Sequence, residues 1–199
     1  MKTKILSIVF AVAAIMSFSS CSTYNEMVTM EENVNTKLSE IDNQYQRRAD
    51  LVPQLVSTVK AAGAREAKTF TAVIEARAKA TQVTIDASNL TEENLAAYQK
   101  AQGDLGMALS RLMAVSESYP DLKTNENFLR LQDELTGTAN RVLVTISEFN
   151  TAAQEYNTTI RLFPKNIIAM IFSFKAKPYF KADEEAKKAP VVDFGYDED

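Results

Sequence analysis

The 199-residue chain has no histidine, no tryptophan and a single cysteine, Cys21. Without histidine it cannot build a Ser/His/Asp triad, a Cys/His pair, an imidazole general base or a Cys/His zinc site. Its five glycines are scattered and set up no phosphate-cradling loop. Carboxylates are the remaining catalytic resource, so Glu31, Glu32 and Glu75 with a divalent metal form the one enzymatic option left open. The Glu-x-x-His pairs of ferritin-like di-metal sites are excluded with the histidine. No cofactor is implied, and an enzyme is the least favoured class.

The N-terminus also lacks the ~20 apolar residues of a spanning helix. Its apolar run covers only residues 5–16, after Lys2 and Lys4, and passes through Ser17, Phe18, Ser19 and Ser20 into Cys21. That length suits the core of a signal peptide. Small residues before a cysteine suit lipoprotein processing, in which the sulfur takes a diacylglycerol and the amine freed by cleavage is acylated. Residues 1–20 are therefore expected to be a lipoprotein-type signal, with the mature chain held to membrane lipid through acylated Cys21. Loss of Lys2 and Lys4 leaves 20 basic against 26 acidic residues, a net charge of −6, so no nucleic-acid partner is expected. About 179 residues suffice for one domain with its own core and no disulfide.

What the chain has in abundance is helical periodicity. Met27, Met30, Val34, Leu38, Ile41, Tyr45, Arg48, Val52, Leu55 and Val59 recur by threes and fours, forming one continuous stripe. A second stripe runs through Phe128, Leu131, Leu135, Ala139, Val142, Ile146, Phe149, Ala153, Tyr156, Ile160 and Phe163. Two shorter helices are expected between them, over about residues 64–85 and 92–118. Gly63, Thr91 before Glu92 and Glu93, Tyr119-Pro120, and Thr124 or Asn125 mark the boundaries. The pattern predicts an all-α fold: an elongated antiparallel up-down-up-down four-helix bundle with two long and two short helices, the long ones ~38 residues each. A continuous rod through Gly63 is the alternative. Pro53 should bend the first helix. Arg48 sits on the apolar stripe and falls opposite Ala139, which offers no acid; a partner from Asp133, Glu134, Asn140 or a middle helix, or outward snorkelling, are the options.

Several segments carry a resemblance. They are Tyr24-Asn25, Met27-Val28, the run from Gln46 to Val56 that contains Arg48 and Pro53, Glu75-Ala76-Arg77, and Glu117-Ser118-Tyr119-Pro120-Asp121-Leu122. Phe128, Leu131-Gln132, Asn140-Arg141, Glu155-Tyr156-Asn157 and Phe163-Pro164 complete the set. In this pattern the chain resembles the LemA family over nearly its whole mature length. The resemblance implies a bacterial envelope protein with a long helical bundle, an N-terminal membrane attachment and no established enzymatic activity. It also marks Arg48, Pro53, Tyr119, Pro120, Asn140, Arg141, Tyr156 and Asn157 as structural or interaction candidates. Members more commonly begin with a spanning helix, which a lipid at Cys21 replaces here, and many have an acid where this chain has Ala139.

Residues 21–164 are thus assigned to the bundle, and residues 165–199 to an apolar segment with a charged tail. Ile167, Ile168, Met170, Ile171, Phe172 and Phe174 lie between Lys165 and Lys175 in a run too short to span a bilayer. In an up-down-up-down bundle this run emerges beside Cys21. It is expected either to lie on the membrane interface or to cap the open end of the core. The tail after Pro190, ending in Phe194, Tyr196 and acids, reads as a solvated or loosely docked segment. The function expected is a non-enzymatic envelope lipoprotein that serves as adaptor or scaffold for an unidentified envelope protein. A lipid-binding, membrane-organising protein is the alternative.

Overall fold

A computed structural model describes residues 2–181, with side chains from Cys21 onward. The expected tail beyond Pro190 lies outside the described residues. Every regular element among them is helical: α1 (Lys2–Ala61), α2 (Ala67–Gln82), α3 (Glu92–Val115), α4 (Pro120–Lys123), α5 (Glu126–Thr159) and α6 (Lys165–Ile171).

The helix boundaries follow local chemistry. The Thr91 side chain accepts from the Asn94 amide and the Asn94 side chain accepts from the Thr91 amide, a reciprocal cap that starts α3. Asn125 caps α5 by accepting from the Phe128 N–H at 3.0 Å. Pro120 opens α4 at a position where no intrahelical donor is needed. Between α1 and α2 the chain turns through Gly63 with φ +84°, so the continuous-rod alternative fails. A Cβ at Gly63 meets no atom within 4 Å, so Gly63→Ala carries only the left-handed backbone cost. It should destabilise the protein by about 1 kcal/mol, read as a ~2–4 °C fall in Tm with unchanged helix content.

Two expectations about length change. α1 is 60 residues long and runs unbroken back to Lys2, rather than ~38 residues from near Tyr24. α5 ends at Thr159, so Phe163 leaves the stripe and stands 80% exposed. The stripe also slips within α5. Ala139 is exposed and Thr138 is buried in its place, its hydroxyl bonded to the Leu135 carbonyl at 2.7 Å. That bond makes a hydroxyl tolerable inside the core.

Side-chain pairs fix the helix directions. Lys37 with Glu148, Gln44 with Arg141 and Arg47 with Glu134 lay α5 antiparallel along α1, and Glu26 with Lys165 sets the start of α6 beside α1. The Ala80 carbonyl with Gln102, and Glu66 with Tyr119, set α2 antiparallel to α3. Asp42 with Tyr98 and Arg48 with Gln102 align α3 parallel to α1.

Two apolar clusters fill the interior. One gathers Val52, Leu55 and Val59 of α1 with Phe70 and Val73 of α2, Leu105, Leu109 and Leu112 of α3, Leu122 of α4 and Phe128 of α5. The other gathers Met27, Val34, Leu38 and Ile41 with Leu95, Tyr98, Phe149, Tyr156, Ala169 and Phe180. Each large side chain buried there contributes about 1.5–3 kcal/mol. Partly exposed pairs such as Arg47 with Glu134 contribute about 0–1 kcal/mol each. The apolar clusters therefore hold the fold, and the surface pairs set register.

Candidate functional site

The end of the molecule that carries Cys21 collects the predicted membrane-contact residues. α6 is pinned beside the Glu26 turn of α1 by Lys165, whose Nζ donates to both carboxylate oxygens of Glu26 at 2.6 and 2.7 Å. Tyr24 stacks on two aromatic rings that follow α6, Phe172 at 4.7 Å and Phe174 at 5.6 Å between centroids. Ala169 is buried, and Ile168 and Phe174 pack on the adjoining cluster. The opposite face is open. Ile167, Met170, Ile171 and Phe172 are exposed together with Leu162 and Phe163 from the preceding turn, Met170 at 74% and Ile171 at 66%. Cys21 is exposed, one helical turn before Tyr24. The six-residue run thus divides its work, one face closing the core and the other facing out as an apolar patch.

Arg48 takes its partner from a middle helix. It neither snorkels outward nor meets an acid; it turns to α3. Its guanidinium donates to the Gln102 main-chain carbonyl at 2.6 Å and to Gln102 Oε1 at 3.2 Å, and lies 4.9 Å over the Tyr45 ring. Gln102 in turn donates to the Ala80 carbonyl at 3.2 Å. Burial pulls the Arg48 pKa down, and its Nε finds no acceptor. Glu134, a proposed partner, pairs with Arg47 instead. This polar layer separates the two apolar clusters. A cleft of about 280 Å³ opens beside it, and its one carboxylate, Asp42, already accepts from the Tyr98 hydroxyl at 2.7 Å. Among the described residues no three His, Cys, Asp or Glu side chains converge on a metal site; Glu31 is held by Lys177 at 2.7 Å.

Three tyrosines share a protected environment. Burial raises the pKa of Tyr45, Tyr98 and Tyr156, with Asp42 adding to the effect at Tyr98 and Glu31 at Tyr156. Unfolded phenols ionise near ~10. Above that pH the unfolded state holds fewer protons than the folded one, so stability falls as pH rises. In an alkaline titration three of the seven tyrosines should stay un-ionised until helicity is lost. Seven phenolates forming with the helices intact would contradict the burial.

The other candidates are spread along the molecule. Pro53 lies on the exposed face of α1. Tyr119 accepts from the Arg65 N–H at 3.4 Å and approaches Glu66 at 3.5 Å, so with Pro120 it shapes the turn far from Cys21. Asn140 is exposed, and Arg141 donates to Gln44 at 3.1 Å. Tyr156 is fully buried. Asn157 grips the backbone of Lys177 through both ends of its amide, each at 2.8 Å. Asn150, which the sequence reading passed over, does the same to Phe180 at 3.0 and 2.9 Å. Its place seven residues before Asn157 on one helix face is a signal that could have flagged it.

Comparison with known proteins points one way. The chain is 27% identical to the magnetosome proteins MamQ 1 and MamQ 2 of Paramagnetospirillum magneticum, over 96% of its own length and 75% of theirs. It is 27% identical to magnetosome protein MamQ of Magnetospirillum gryphiswaldense, over 85% of its length and 68% of that protein's. The model of the LemA family matches residues 37–194, which take in the C-terminal part of α1 from residue 37, every later helix and both asparagines that grip the C-terminal segment. The chain belongs to the LemA family.

Proposed function

We propose that this protein is a non-enzymatic lipoprotein of the bacterial cell envelope, attached through acylated Cys21. In this reading it stands on the membrane as an elongated up-down-up-down bundle and serves another envelope protein as adaptor or scaffold. The observation that carries the reading is the apolar patch of Ile167, Met170, Ile171, Phe172, Leu162 and Phe163 at the end that bears exposed Cys21. An open apolar face next to a lipid attachment point is what a surface seated on acyl chains requires. Lipid chains give the attachment, and the patch orients the bundle by adding a second contact. Among the described residues no helix is long and apolar enough to cross a membrane. Similarity to proteins of the magnetosome agrees with a role in a bacterial subcellular structure.

Intact mass spectrometry of protein extracted from membranes tests the attachment. A chain beginning at Cys21 with diacylglycerol on sulfur is expected, and Cys21→Ala should abolish both the added mass and the cleavage. A free thiol in the membrane-extracted protein would refute it. The same patch favours the second reading, a protein that organises lipid. Recovery of lipid and no protein after crosslinking in cells would move that reading to first place.

A further inference from the structure

After α6 the chain turns at Ser173, where φ is +60°, and residues 174–181 run along the helices without regular structure. Two asparagines on α5 hold this strap by its main chain. Asn157 Oδ1 accepts from the Lys177 N–H while its Nδ2 donates to the Lys177 carbonyl, and Asn150 does the same at Phe180. The spacing is commensurate: seven helical residues rise ~10.5 Å, and three extended residues cover ~10 Å. Pro178 falls between the two gripped residues, where no N–H is required.

Two sockets read side chains. Lys177 meets Glu31 at 2.7 Å and reaches the Ala87 carbonyl at 3.3 Å, its side chain only 9% exposed. Phe180 is buried edge-on against Phe149, with centroids 5.2 Å apart. Tyr179 between them points outward. Main-chain recognition by paired amides is independent of sequence, while the sockets ask for a cation and, three residues later, an aromatic ring.

We propose that this groove between α1, α5 and α3, whose Gln99 donates to the Lys181 carbonyl at 3.0 Å, is a peptide-recognition site which the chain's own strap fills in cis. Its partner is an extended segment of an envelope protein that carries Lys or Arg three residues before an aromatic residue and displaces the strap. The inference rests on the scaffold reading and names the class of partner. A cis strap acts as a competitor at roughly millimolar effective concentration, so the groove opens only to a partner held nearby or binding tightly.

The test uses the detergent-purified full chain and a labelled peptide with the sequence of residues 174–183. Lys177→Glu combined with Phe180→Ser removes both side-chain contacts of the strap, so that only its main-chain bonds compete for the groove, and leaves Asn150 and Asn157 in place. The peptide should bind this variant at least ~10-fold more tightly than the parent chain. Adding Asn150→Ala and Asn157→Ala should remove the gain, as should a peptide lacking its basic and aromatic side chains. No gain with helicity retained would overturn the proposal. If the variant loses its helices, hydrogen exchange on the unsubstituted chain decides. Saturating peptide should strip protection from the Lys177 and Phe180 amides, and unchanged protection would overturn the proposal. A stable dimer with exchanged straps, seen by light scattering and crosslinking, would assign the groove to a second copy and also overturn it. All of these measurements are made without vesicles, so failure here leaves the membrane seating standing, and loss of vesicle binding leaves the groove standing.

Discussion

Replacing Met170, Ile171 and Phe172 together by aspartate should lower vesicle binding of the unacylated chain beginning at Cys21 by about 100-fold or more. These three side chains are each more than half exposed, Met170 and Ile171 on α6 and Phe172 at its C-terminal cap. Removing roughly 1 kcal/mol of apolar transfer at each position, and adding charges that resist an apolar phase, gives at least ~3 kcal/mol, with 1.4 kcal/mol per tenfold. Helix content should not change, because none of the three belongs to the interior cluster, and with the Phe172 contact to Tyr24 lost, the Lys165 pair with Glu26 and the Phe174 contact to Tyr24 still hold the segment. Co-sedimentation with vesicles, alongside circular dichroism, reads both quantities. A fold that collapses with the triple change would show that α6 serves only to close the core. Ile168 and Phe174 supply the contrast: they pack on the cluster, so substitutions there should cost stability before they cost membrane binding.

Gln102→Leu should destabilise the protein by about 2–3 kcal/mol, while Arg48→Met should be close to neutral. The difference comes from which group is left behind. Gln102 gives Arg48 its side-chain acceptor at 3.2 Å and satisfies the Ala80 carbonyl. Its loss strands part of a buried cation that already has an unpaired Nε. Arg48→Met removes the cation and its desolvation cost together, and leaves behind only a neutral amide oxygen on Gln102, a smaller loss than a stranded charge. In the Arg48→Met background, Gln102→Leu should cost at least ~1 kcal/mol less than in the parent chain. Denaturant unfolding of the four proteins measures the cycle. Equal costs in the two backgrounds would mean that Gln102 supports α2 alone.

The helices were legible because each rests on a repeating signal. Val34, Leu38 and Ile41 lie three and four residues apart, and each is buried as the spacing requires. Gly63 and Thr91 act through their own backbone and hydroxyl, so their effect is readable without knowing the partner helix. Phe163 misled because the period outlasts the helix: α5 ends at Thr159 and the chain turns. Arg48 could not be resolved from the sequence because its strongest acceptor is a main-chain carbonyl on α3, and every residue has one. The strap escaped for a related reason. Asn150 and Asn157 bind a backbone rather than a side chain, and residues 174–181 carry no periodicity to announce where they lie. At the Cys21 end the residues of the patch were readable as a set. Its division into a packed face and an open face depends on how Lys165 and Tyr24 fix α6 against α1.

The central claim is that the end bearing Cys21 and α6 sits in the membrane surface while the rest of the bundle stands clear. Spin labels at Met170→Cys and at Leu143→Cys, each in the unacylated Cys21→Ser chain bound to vesicles, test this directly. Leu143 is exposed midway along α5, so it reports on the shaft. The account predicts that the label at 170 becomes accessible to lipid-soluble oxygen and shielded from an aqueous nickel reagent, while the label at 143 stays open to nickel. Two labels equally exposed to the aqueous reagent in the bound protein would contradict it.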